Sequence, residues 1–110
     1  MRLICAILLT SAGAAVAEEW RPLDGAGIRA ALTGRIVDYE AAWQRFAASG
    51  QTLYNAGRDN WGTWRVEGDS YCSKWPPGDA WTCYAVDTDA GGQVRFRGAG
   101  SDVTIGRLRD

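Results

Sequence analysis

The chain reads as a mainly β domain: a short N-terminal helix, then an antiparallel meander of about six to eight strands forming a small barrel or a strongly curved sheet. Three observations predict this. Short runs rich in β-type residues recur between Gly-containing turns from Arg35 onward, a spacing that suits a meander and not βαβ units. Turn signals at Gly68-Asp69 and Pro77-Gly78 fix the register of the hairpins around them. That register sets Cys72 directly opposite Cys83, where a cross-strand bridge must sit.

The first residues form a leader. Arg2 is a short positive start, residues 3–9 are apolar and include Cys5, and Ala15-Val16-Ala17 is a small-x-small cleavage site before Glu18-Glu19. We therefore expect a signal peptide over 1–17, cut after Ala17, and a single small β-domain over 18–110. The apolar run falls short of the roughly 20 residues a bilayer-spanning helix needs, and nothing later is longer. The expected location is periplasmic or secreted, with no transmembrane segment once the leader is removed. In that oxidising setting Cys72 and Cys83 are expected to form a disulfide, worth about 3 kcal/mol for so short a loop.

In the domain, Asp24 is a suitable N-cap; Ile28, Ala31 and Leu32 share a helical face, and Gly34 is a natural stop. Such a helix packs on the sheet or closes one end of it. Strand-like runs follow at 36–39, 43–47, 52–55, 63–67, 70–75, 81–87, 93–97 and 102–105. Gly68-Asp69 as a type II′ turn pairs Val66 with Tyr71 and Trp64 with Ser73. The Pro77-Gly78 turn pairs Tyr71 with Tyr84. A turn through Asp89-Ala90-Gly91 pairs Val86 with Val94, and one through Ala99-Gly100 pairs Phe96 with Val103. These registers put Trp64, Val66, Tyr71, Tyr84, Val86, Val94, Phe96, Val103 and Ile105 on the core face. Thr63, Arg65, Cys72, Lys74, Trp81, Cys83, Ala85, Arg95, Arg97, Asp102 and Thr104 fall on the outer face.

The run from Gly62 to Tyr84 resembles a pattern in small secreted bacterial proteins of unknown function, calycin-like or lipocalin-like in outline. Its marks are Gly62, Trp64, Gly68-Asp69, Cys72, Cys83 and Tyr84. The resemblance implies a barrel and carries no catalytic or ligand residue. A second likeness is to periplasmic lysozyme inhibitors, through Ser49-Gly50-Gln51-Thr52-Leu53-Tyr54. That run is one residue longer than the inhibitors' Ser-Gly-x-x-Tyr motif, and their Tyr-x-x-Gly-x-Lys motif is missing.

Composition narrows the chemistry. Lys and Arg total 12 against 13 Asp and Glu, which gives no electrostatic case for nucleic acid. There is no His, so proton transfer near neutral pH would fall to carboxylates, Tyr or Lys74, and Ser70 and Ser73 have no base to activate them. A zinc site would want more Cys or His than the chain has. Asp87-Thr88-Asp89-Ala90-Gly91 opens like a calcium loop, but no Glu follows, so it reads as a turn. No catalytic residue, metal or cofactor is assigned. Glu67, Asp69, Asp87 and Asp89 read as solvated turn carboxylates.

The outer face offers one possible binding patch: Arg65, Lys74, Trp81, Arg95 and Arg97, beside the disulfide. Lys74 should face Trp81 as a cation–π pair, worth about 0.5–1 kcal/mol, and Arg97 should oppose Asp102. The expected function is a non-enzymatic binding module for an unknown small ligand or an envelope protein. The alternative is a proteinaceous inhibitor of an envelope hydrolase.

Overall fold

The computed structural model describes residues 19–110, so the expected leader and Cys5 lie outside the described residues. The elements are β1 (Arg21–Pro22), α1 (Gly25–Leu32), β2 (Ile36–Asp38), β3 (Trp43–Phe46), β4 (Gln51–Asn55), β5 (Asp59–Glu67), β6 (Ser70–Lys74), β7 (Thr82–Thr88), β8 (Gln93–Arg97) and β9 (Val103–Leu108). Each strand from β2 to β9 pairs antiparallel with the next, and β9 returns to β2, closing an eight-stranded barrel. β1 is a short strap on β7, pairing Pro22 with Asp87 and Arg21 with Thr88.

Alternate hairpins fall at opposite ends. Turns near residues 47–50, 68–69 and 89–92 share one end with α1; those at 39–42, 56–58, 75–81 and 98–102 ring the other. The helix seals its end for local reasons. Asp24 caps it, accepting from the Gly27 N–H at 2.8 Å, and the Gly25 N–H donates to Asp69 Oδ1 at 2.9 Å, tying the helix start to the β5–β6 turn. Ile28 and Leu32 lie on one face and are fully buried. They join Val37, Phe46, Trp64, Val86 and Val94 in the core. Phe46 meets Trp64 edge-on at 5.5 Å, and the Trp64 indole N–H reaches the Ala47 carbonyl at 2.9 Å.

The β5–β6 and β6–β7 registers follow the turn chemistry: Val66 opposes Tyr71, Trp64 opposes Ser73, Tyr71 opposes Tyr84 and Cys72 opposes Cys83. Gly68 has φ +57° and Asp69 does not share a positive φ, as a type II′ turn requires. Cys72 and Cys83 are disulfide-bonded on the outer face with Cα atoms 4.0 Å apart, the close spacing of a non-hydrogen-bonded pair.

Two later registers differ from expectation. On β7–β8, Val86 opposes Phe96 instead of Val94; a slip of two leaves the faces unchanged. On β8–β9, Phe96 opposes Thr104 instead of Val103. The turn between them holds three residues, with Gly98 N–H bonded to the Asp102 carbonyl and Gly100 at φ +64°. The extra Ser101 moves the strand by one residue, which exchanges the faces. Val103 and Ile105 therefore point outward, 51% and 46% exposed, and Thr104 points into the barrel. β5 also begins four residues earlier than expected, at Asp59, because it pairs along the whole of β4.

Candidate functional site

The end opposite the helix is an open cup of about 380 Å³, lined by Tyr39, Gln44, Tyr54, Asn60, Tyr71, Ser73, Trp75, Tyr84, Phe96 and Thr104. Six of these are aromatic, and none carries a charge. Eight-stranded barrels are just wide enough to hold one small ligand, which matches this volume.

Missing side chains help to shape the walls. Gly62 occupies an inward position on β5, and a Cβ there would lie 2.5 Å from the Trp75 ring. Gly106 does the same on β9, where a Cβ would crowd Val37 and lie 2.9 Å from the Tyr39 ring. These two glycines let aromatic side chains from the rim hairpins fold across strands that would otherwise exclude them. Tyr54 then meets Trp75 edge-on at 6.2 Å, and Tyr39 contacts Phe96 at 6.4 Å.

The floor is a hydrogen-bond network. Thr52 Oγ1 donates to the Arg45 carbonyl at 2.8 Å and accepts from Gln44 Nε2 at 2.9 Å. The same nitrogen donates to the Tyr71 hydroxyl at 3.1 Å, and Gln44 Oε1 accepts from the Tyr39 hydroxyl at 2.9 Å. The Trp75 indole N–H donates to Ser73 Oγ at 3.1 Å. Burial pushes the Tyr39 and Tyr71 phenols well above their usual range. Tyr84, nearer the rim, is raised by partial burial and by the neighbouring Asp102 carboxylate.

The expected outer patch divides into two groups. Arg65, Lys74 and Trp81 do converge beside Cys72 and Cys83: the Arg65 guanidinium lies 3.9 Å and the Lys74 ammonium 4.9 Å from the centre of the Trp81 ring. Arg65 also pairs with Glu67. Arg95 and Arg97 instead gather on Asp87, at 2.8 and 2.7 Å, and Arg95 lies over Trp20 of the N-terminal arm. Arg97 thus pairs with Asp87 and not with Asp102. Asp87 is no solvated turn carboxylate, being only 2% exposed. The Arg97 hydrogen bond, helped by Arg95, holds its carboxyl below the usual carboxylate range despite burial.

Asp89 does act in its turn, accepting from Gly91 and Gln93. Among the described residues, Glu67, Cys72 and Cys83 are the one convergence of metal-type side chains. Their sulfurs are joined to each other, which leaves a single carboxylate for an ion. In the run from Ser49 to Tyr54, Ser49 and Gly50 sit in a turn at the helix end, whereas Tyr54 lines the cup.

The cup itself was not legible as a site. The available signal was the polar character of Gln44, Thr52 and Ser73 at positions that alternate with core residues. Comparison with protein-family models, curated proteins and solved structures finds no match to this chain.

Proposed function

We propose that this protein is a non-enzymatic periplasmic or secreted binding module that takes one small, uncharged, ring-bearing molecule into the open end of its barrel. The observation that carries this reading is the cup, with ring faces for walls and only neutral hydrogen-bonding groups among them. Flat apolar surface supplies most of the affinity in such pockets, and a few polar groups fix orientation. A charged ligand would lose hydration there without gaining an ionic partner.

The non-enzymatic part rests on the lining. No carboxylate, amine, thiol or imidazole faces the cavity, and its buried phenols hold their protons far above neutral pH. The compartment rests on the leader pattern, the disulfide, and the lack among the described residues of a helix long and apolar enough to cross a membrane.

Native mass spectrometry of the mature chain recovered from the periplasm or medium tests the reading. We expect one uncharged small molecule retained per chain and released on denaturation. An empty chain recovered with a stoichiometric envelope hydrolase would contradict it and favour an inhibitor.

A further inference from the structure

The proton inventory of the cup floor restricts the ligand further. The Arg45 carbonyl can only accept, so the Thr52 hydroxyl must spend its proton there. Thr52 oxygen must then accept from Gln44, which fixes the amide: its nitrogen faces Thr52 and Tyr71, and its oxygen faces Tyr39. Tyr39 therefore donates to Gln44, and Tyr71 oxygen accepts from it. On the far side the Trp75 indole can only donate, so Ser73 oxygen accepts as well.

What is left is the pair of hydroxyls on Tyr71 and Ser73, two residues apart on the inner face of β6. Each oxygen already accepts one hydrogen bond, and each keeps its own O–H proton. At least one of these two protons has no acceptor among the described residues. Both residues are 4% exposed and both line the cavity. A buried donor without an acceptor is costly, and a ligand that supplies one gains accordingly.

Building on the cup reading, we infer that the ligand is an uncharged ring compound carrying a carbonyl or equivalent acceptor oxygen, bound with that oxygen down on Tyr71 and Ser73. The ring then lies against Tyr54, Trp75 and Phe96, and the rim carboxylate of Asp102 adds a further penalty for anions.

Three naphthalenes of matched shape test this on the disulfide-bonded mature chain: acetylnaphthalene, isopropenylnaphthalene, which replaces the oxygen by CH2, and naphthoate. By calorimetric titration the ketone should bind about tenfold more tightly than the hydrocarbon, the size of one buried hydrogen bond. Its carbonyl stretch should move to lower frequency on binding. The double variant Tyr71→Phe, Ser73→Ala should erase both the affinity gap and the frequency shift while still binding the hydrocarbon. Equal affinity of ketone and hydrocarbon in the unmodified chain would overturn the acceptor inference and leave the cup reading intact. Tighter binding of naphthoate would overturn the requirement for neutrality. Failure of all three to bind would remove the cup reading itself.

Discussion

The two halves of this barrel are built from the same strands and do opposite things. Moving two residues along a strand keeps a side chain on the inner face but carries it from the helix end toward the mouth. On β3 that step goes from Phe46 to Gln44, on β5 from Trp64 to Gly62, on β6 from Tyr71 to Ser73, and on β7 from Val86 to Tyr84. The helix-end member is large and mainly apolar; the mouth-end member is polar, amphipathic or has no side chain. The lower half therefore packs shut under α1, and the upper half stays open as a cup. A single binary pattern, inward apolar and outward polar, does not describe such a barrel, because its interior changes character along its axis.

The largest loss of stability should come at Phe46, in the helix-end half. Phe46→Ala should cost about 3–5 kcal/mol by denaturant unfolding, since it empties the centre of the helix-end core. A loss below about 1 kcal/mol would mean that the lower half is not where stability resides. Next in size is the bridge. Replacing Cys72 and Cys83 together by Ala should cost about 3 kcal/mol and leave ligand binding intact, because the sulfurs lie outside the barrel wall. Loss of binding at full folding would show that the outer face shapes the cup.

Asp87→Asn should cost about 2 kcal/mol, because both arginines are partly exposed and recover hydration once the carboxylate is gone. Its pH signature has a definite sign. The folded pKa lies below the unfolded value of about 3.9, so the contribution is complete above that pH and is lost as pH falls through the folded pKa. The unmodified chain should therefore lose more stability between neutral pH and the acid range than Asp87→Asn does. Parallel acid limbs would show that the two arginines do not depress Asp87.

Much of the lower half was legible because local chemistry sets it. Asp24 and Gly34 bracket the helix, and Gly68-Asp69 fixes one hairpin, so Trp64, Val66 and Tyr71 face inward as expected. The β8–β9 hairpin failed for an equally local reason: a two-residue and a three-residue turn read alike around Ala99-Gly100-Ser101, and that one residue decides where Val103, Thr104 and Ile105 point. The cup was illegible for a different reason. Its walls depend on pairs far apart in sequence, Gly106 with Tyr39 and Gln44 with Tyr71, that exist only once the sheet has closed on itself. Asp87 likewise reads as a surface carboxylate until β1, Arg95 and Arg97 cover it.

One further substitution lies at the mouth end. Gly62→Ala should cost about 1–3 kcal/mol, because the added Cβ would lie 2.8 Å from the Lys74 carbonyl as well as 2.5 Å from the Trp75 ring, and the Trp75 near-ultraviolet circular dichroism band and ligand affinity should both change. A large loss of stability with the band unchanged would place Gly62 in the structural half.

The most direct measurement is calorimetric titration of acetylnaphthalene into the unmodified chain and into Thr104→Trp. Thr104 faces the cup from β9, far from α1, so an indole there should fill the cavity without disturbing the lower core. One site per chain is expected in the first protein and none in the second, with the denaturation midpoints equal. Undiminished binding to Thr104→Trp would contradict it, since the ligand would then sit somewhere other than the open end of the barrel.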